Sequence, residues 1–229
     1  MTGFRSSEWN ESYKRGENYI FYPKEEVVKF LNRFVRKKVN LREYKDLIRL
    51  PKNPRGLDLG CGIGVQSVLL SEFGFNTVGV DISDMAIKKA EEIKSFKNIS
   101  NLEFKVLNKI SLDFPKNYFD IAISDSVLDS MEFSFAREYM IQLDKVVSKI
   151  VYLNIISNES NETKLAEDVI VKTSHELNTI QSYYDYNRIL ELISDTDFKI
   201  IYLNKSYKKN IESDIIDDIR YNIVLSKLD

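Results

Sequence analysis

This 229-residue sequence predicts an α/β fold, a seven-stranded sheet covered by helices on both faces as a three-layer sandwich. Three observations carry that reading. From residue 55 to residue 156, short apolar runs alternate with stretches of helical period, the pattern of βαβ units and a parallel sheet. Four of the eight glycines fall between Gly56 and Gly64, where the first such run ends. Two further short apolar runs, 198–203 and 220–225, follow a last helical segment.

Behind Pro23, the residues Val27, Phe30, Leu31, Phe34 and Val35 repeat at helical spacing, and proline is tolerated near a first turn because its missing N–H costs nothing there. Residues 55–59 read as a strand and 65–73 as a helix stopped by Gly74. Residues 77–80 form a second strand and 83–96 a second helix, with Ser83 or Asp84 as its N-cap. Strands at 102–107 and 119–123, a helix at 133–147 and a strand at 150–156 complete the alternation. A polar break at 157–163 and a helix at 185–193 precede the last two strands. The crossovers are expected to be right-handed. Charge runs at 36–38 and 205–209 read as solvated faces.

The balance of 33 Lys plus Arg against 35 Asp plus Glu, with a pI near 5.7, argues against a chain that coats nucleic acid or an anionic membrane. One cysteine and one histidine exclude a disulfide framework and a His/Cys zinc site. A cytoplasmic setting is expected, since no long apolar run and no apolar leader segment is present in the sequence.

The chemistry concentrates in Leu57-Asp58-Leu59-Gly60-Cys61-Gly62-Ile63-Gly64. Glycines between a strand and a helix let the backbone turn tightly and approach a ligand, and the helix N-terminus presents free N–H groups. A dinucleotide fingerprint needs a third small residue where Val65 stands, and Asp58 would repel a pyrophosphate but not an ammonium. About 20 residues further on, Asp81 ends the second strand, where an acid can accept ribose hydroxyls. Together these features describe a nucleoside with a zwitterionic or cationic tail. As a strand-end acid, Asp81 is expected to be replaceable without unfolding the chain.

The glycine segment resembles motif I of the class I S-adenosylmethionine-dependent methyltransferases. Val78-Gly79-Val80-Asp81-Ile82-Ser83 is similar to their second-strand motif, and residues 119–128 to their fourth strand and the turn after it. The resemblance implies a Rossmann-like sheet whose last two strands form an antiparallel hairpin. It implies one methyltransferase domain over 1–229: an N-terminal lid or helical segment at 1–50, a cofactor-binding core at 53–157, and an acceptor cover with the C-terminal strands at 158–229. The implied cofactor is S-adenosyl-L-methionine, with S-adenosyl-L-homocysteine as product. Asp58, Gly60, Cys61, Gly62 and Gly64 would line its methionine and ribose side, and Asp81 with Ile82 would hold the ribose and adenine. Asn108, with Lys109 beside it, takes the place of the family's adenine-binding acid. Asp125 and Ser126 would meet the methionine portion, and the lid would bring Tyr13 and Tyr22 to the site.

The expected reaction is methyl transfer to a small-molecule hydroxyl, a sugar or nucleotide-sugar among the options, since the turn after the fourth strand lacks the Pro-Pro of base and amide methyltransferases. Protein or amine N-methylation, and a non-catalytic S-adenosylmethionine-binding subunit, are the alternatives. His175 and Asp129 are the candidate catalytic residues, with Glu176 as a fallback base, and Tyr183 and Tyr184 are candidates to shape an acceptor. Asp125 and Asp129, four apart, lack a third ligand, so no metal is expected. The expected partner is the small-molecule acceptor, without nucleic acid or membrane, for a monomer or homodimer.

Overall fold

The computed structural model describes residues 5–41, 43–209, 211–212 and 216–227, so residues 1–4 of the expected lid lie outside the described residues. Its elements are α1 (Ser6–Lys14), α2 (Glu25–Phe30) continued by a π turn (Leu31–Val35), β1 (Arg36–Lys38), β2 (Tyr44–Asp46), β3 (Arg55–Leu59), α3 (Val65–Glu72), β4 (Asn76–Asp81), α4 (Asp84–Lys97), β5 (Leu102–Val106), β6 (Phe119–Asp125), α5 (Phe133–Val146), β7 (Val147–Ile156), β8 (Asp168–Ile170), β9 (Ile180–Ser182), α6 (Tyr186–Ile193), β10 (Lys199–Lys209) and β11 (Ile216–Ser226).

Seven strands make one sheet in the order β10-β11-β7-β6-β3-β4-β5. Neighbours from β7 to β5 pair in parallel, whereas β11 runs antiparallel to both β7 and β10. The order turns around between β3 and β6, which opens a crevice at the carboxyl ends of those strands, where open α/β sheets take ligands.

Strand alternation divides the core into two layers. Leu57, Leu59, Ala122, Val151, Leu153 and Ile155 face one way, against Ala136, Tyr139, Met140 and Leu143 of α5 and Ile189 and Leu192 of α6. Ile121, Ile123, Ile150 and Tyr152 face the other way, against Val27 and Phe30 of α2 and Leu69 and Leu70 of α3. The Phe30 and Tyr152 rings stack at 5.1 Å. The three-layer sandwich and its antiparallel C-terminal hairpin are as expected.

Several boundaries differ from the sequence reading. β7 starts at Val147, which the helical pattern had claimed, and β10 and β11 each run to 11 residues. The charge runs at 36–38 and 205–209 lie in strands, β1 and the end of β10, and keep their lysines on exposed positions, the solvated faces expected of them. The hairpins β1–β2 and β8–β9 stand outside the main sheet. No described helix is long and apolar enough to cross a membrane.

Ser83 caps α4, accepting the Ala86 N–H at 3.1 Å, while its hydroxyl donates to Asn10 Oδ1 at 2.6 Å. Loss of such a cap costs roughly 0.5–2 kcal/mol. Ser83→Ala is therefore expected to lower urea-unfolding stability by that amount, and an unchanged midpoint would show that the cap contributes nothing.

Candidate active site

The site begins with the turn that leaves β3. The Gly60 and Cys61 N–H groups both donate to the Val80 carbonyl, at 2.8 and 2.9 Å, which folds the turn across the end of β4. Gly60 sits at φ +69°, and a Cβ there would lie 2.3 Å from Val127 Cγ2; Gly62 sits at φ +53°, and a Cβ there would lie 2.6 Å from the Tyr13 hydroxyl. Both positions exclude a side chain by conformation and by space. Asp81 completes the turn. Its Oδ2 accepts the Gly62 N–H at 2.8 Å and its Oδ1 the Ser83 N–H at 2.9 Å. Burial raises its carboxyl above the ordinary range, and those backbone N–H groups oppose the rise.

Two adjoining chambers meet at this turn. One is largely apolar, lined by Leu59, Ile82, Leu107, Ile110, Phe135 and Tyr139, with the Asp81 carboxylate among them. The other is polar, lined by Asp58, Gln66, Asp125, Asp129, Lys24, Arg220, His175 and Glu176. Trp9, Tyr13, Gly60, Ser126 and Ser130 border both. α1 supplies Trp9 and Tyr13 and is fastened at Asn10, which meets Ser83 and Asp84 at the start of α4.

Charge in the polar chamber is partly matched. Lys24 Nζ reaches Asp125 at 3.1 Å and Ser126 Oγ at 2.8 Å, and Gln66 donates to Asp125 at 3.2 Å. Arg220 donates to Asp129, Asn154 and Ser126, joining β11 to β7 and to the turn after β6. Asp58 lies buried with the Ser67 hydroxyl donating to it at 2.6 Å. Burial pushes its carboxyl up to about 7 against the Ser67 hydrogen bond, and the charges of Asp125 and Asp81 push the same way.

The expected site residues fall into two groups. Asp58, Gly60, Gly62, Asp81, Ile82, Asp125, Ser126 and Tyr13 all line the chambers. Cys61 lines the polar chamber, but its side chain packs with Val68, Ile87, Leu102 and Phe104 in the core. Gly64 is the N-cap of α3, with Phe104 against it, and lines neither chamber. Asn108 and Lys109 are exposed and line neither chamber, Lys109 pairing with Asp113 at 2.9 Å, while Leu107 and Ile110 on either side of them line the apolar chamber. Tyr22, 80 % exposed, stands at the outer edge of the polar chamber.

The two candidate catalytic residues also separate. Asp129 is buried, and its Oδ2 is ion-paired with Arg220 and accepts the Ile156 N–H at 2.8 Å. His175 is an exposed residue at the chamber edge, 3.5 Å from Glu176. Tyr184 is no acceptor platform, since it is wholly buried and its hydroxyl donates to the Leu128 carbonyl at 2.8 Å. Asp125 and Asp129 are engaged by Lys24 and Arg220, and among the described residues no group of three His, Cys, Asp or Glu could hold a metal. Sequence reasoning missed Lys24, Gln66 and Arg220. For Arg220 there was a signal, a lone cation at the head of an apolar strand.

The buried Asp58 carboxyl makes stability depend on pH. Its folded-state value is raised from 3.8 to about 7, so the stability it contributes while protonated is lost as pH rises through that window. The ligand-free chain is expected to melt at lower temperature at about pH 8 than at about pH 5, and Asp58→Asn to flatten part of that fall, with Asp81 supplying more of it. Equal slopes in calorimetric melts of both proteins would place the pH sensitivity elsewhere.

Known proteins resemble the chain at several levels. Residues 50–214 match the family model described as a methyltransferase domain. The chain is 32% identical over 96 residues to 2-methyl-6-phytyl-1,4-hydroquinone methyltransferase of a Synechocystis strain, covering 40% of this chain and 30% of that protein. Matches to the curated relatives span about a third of those proteins' own length. Among solved structures, a SAM-dependent methyltransferase from Methanosarcina mazei superposes with a TM-score of 0.64 at 22% identity, over 78% of this chain and 94% of that one. A structure solved in work on the conversion of a disulfide bond into a thioacetal group during echinomycin biosynthesis superposes with a TM-score of 0.69 at 17% identity, over 96% and 92%. At such identities these two likenesses establish the fold alone. With the family model spanning well over half of its length, the chain belongs to the methyltransferase domain family.

Proposed function

We propose that this chain is an S-adenosylmethionine-dependent methyltransferase that methylates a small molecule, with a hydroxyl as the favoured acceptor. The observation that carries the reading is the junction of a largely apolar chamber, where the Asp81 carboxylate stands among Leu59, Ile82 and Leu107, with a polar chamber holding Asp58 and Asp125, across a turn that excludes side chains at Gly60 and Gly62. An adenosine needs apolar walls and an acid for its ribose. A methionine tail needs a carboxylate for its ammonium, and the buried Asp58, lifted by burial and by neighbouring acids, gains most from a cation.

When bound, S-adenosylmethionine supplies a methyl group on a sulfonium. In this reading Asp81 accepts the ribose hydroxyls, Ile82, Leu107 and Ile110 flank the adenine, and Asp58 with Asp125 takes the ammonium. Trp9 and Tyr13 cover the junction and keep water from it. The acceptor would enter from the polar side, past Asn18, Glu176 and Gln181, groups suited to a hydroxylated molecule such as a sugar. Amine methylation is the second reading, favoured by the excess of carboxylates over cations in that chamber.

A screen of hydroxyl and amine metabolites, read by S-adenosylhomocysteine release, tests the acceptor class. Turnover confined to protein substrates would contradict the small-molecule reading. Asp81→Ala is expected to weaken S-adenosylhomocysteine binding by roughly 1–3 kcal/mol, followed through the fluorescence of Trp9, the one tryptophan of the chain. Because Asp81 also holds the Gly62 and Ser83 amides, the same change should cost folding stability, contrary to what a surface strand-end acid would do. Unaltered affinity would move the ribose away from Asp81.

A further inference from the structure

Of the carboxylates around the polar chamber, one differs in its partners. Asp125 is matched by Lys24, Asp129 by Arg220, and Asp218 by Lys208, while Asp58 lies beneath the glycine turn. Glu176 stands at the mouth, its side chain 22 % exposed, with His175 Nε2 3.5 Å from its carboxylate and the Asn18 side chain bonded to it. It therefore borders both the chamber and solvent, as a group that collects and releases protons must.

Its backbone is held from both sides. Glu176 adopts φ +56°, uncommon for a residue with a side chain, so the conformation depends on the contacts that maintain it. Its carbonyl accepts the Thr179 N–H at 3.0 Å and the Thr179 hydroxyl at 2.7 Å. Its N–H donates to Glu17 Oε2 at 3.0 Å, and that carboxylate is fixed by the Ser12 hydroxyl at 2.8 Å and by Arg15. Glu17 lies just beyond α1, the helix that places Tyr13 over Gly62 and Asn10 at Ser83.

We propose that Glu176 takes the proton of the acceptor heteroatom during methyl transfer and that Glu17 is its positioning residue; the proposal rests on the methyltransferase reading given above. As the bond from acceptor to methyl carbon forms, the carbon–sulfur bond breaks and sulfur keeps its electron pair, becoming a neutral thioether. The proton of the O–H or N–H passes to the Glu176 carboxylate, and from there to solvent by way of His175. Sulfonium plus carboxylate become thioether plus carboxylic acid, so charge balances.

The groups facing Glu176 fit that role. Burial holds its carboxyl above the ordinary glutamate range, and Asp129 from the turn after β6 and Glu17 from the arm push the same way, while His175 on its own turn opposes them. Tyr13 of α1 faces it as well. Glu17 itself is pushed down to about 2 by its Arg15 hydrogen bond and then by the Glu176 N–H, so it stays ionised and accepting at neutral pH.

The full-length chain serves for the test. With S-adenosylmethionine and the best hydroxyl or amine acceptor of the metabolite panel, Glu176→Gln should lower kcat about 10²–10⁴-fold. The rise of rate with pH should vanish, Glu176→Asp should recover part of the activity, and S-adenosylhomocysteine affinity should stay unchanged. A readout without turnover is the ¹³C signal of the Glu176 carboxyl, identified by its loss in Glu176→Gln. It should titrate above the free-glutamate range and move down toward it in Glu17→Gln. If wild-type chain fails to bind S-adenosylhomocysteine, the methyltransferase reading falls and this assignment with it. If binding is normal, either of two results overturns the assignment alone: near-normal turnover with the same pH profile in Glu176→Gln, or a Glu176 carboxyl in the ordinary range that Glu17→Gln leaves unmoved.

Discussion

The Asp81 carboxylate is the fastening on which the rest of this site depends. One oxygen holds the Gly62 amide of the turn after β3, and the other holds the Ser83 amide at the head of α4. It thereby ties two successive βα turns at adjacent strand ends, next to the place where strand order reverses. Burial disfavours the charge that makes these bonds, and the backbone N–H groups offset part of that cost. The Gly62 end of the glycine turn, the start of α4 and the wall of the apolar chamber meet at this one group.

From that fastening the N-terminal arm acquires its purpose. Tyr13 fits against Gly62 because no side chain stands there, and Asn10 reaches the Ser83 cap. On the opposite side, Glu17 and Arg5 hold the backbone at Glu176 and Asn178. One short arm thus contacts the glycine turn, the head of α4 and the cover of the polar chamber. Arg220 does the comparable work from below, joining Asp129, Ser126 and Asn154. Ser126, at φ +60°, is held in a left-handed conformation between Lys24 and Arg220.

How much was legible in the sequence depended on how local the cause was. β3, α3 and β4 could be read because alternation, the Gly74 stop and the Ser83 cap are local signals; Arg55–Leu59 was bounded correctly. α1 was not readable as a helix, since only Ser12 and Tyr13 of it are buried and no core period results. The part played by Leu107 and Ile110 was not legible, since β5 ends at Val106 and the turn beyond it, not a strand period, brings them to the apolar chamber. The pairing of Arg220 with Asp129 spans 91 residues and is a product of the antiparallel β11. Charged strand segments such as Lys205–Lys209 escaped because edge strands need no alternating core pattern.

In the proposed function the two chambers take a sulfur nucleoside and leave a dinucleotide unbound. Titration calorimetry of the intact chain with S-adenosylhomocysteine and, separately, with NAD tests it most directly. Saturable one-to-one binding of S-adenosylhomocysteine with no heat from NAD is the predicted result. Tight NAD binding without any response to S-adenosylhomocysteine would contradict the account.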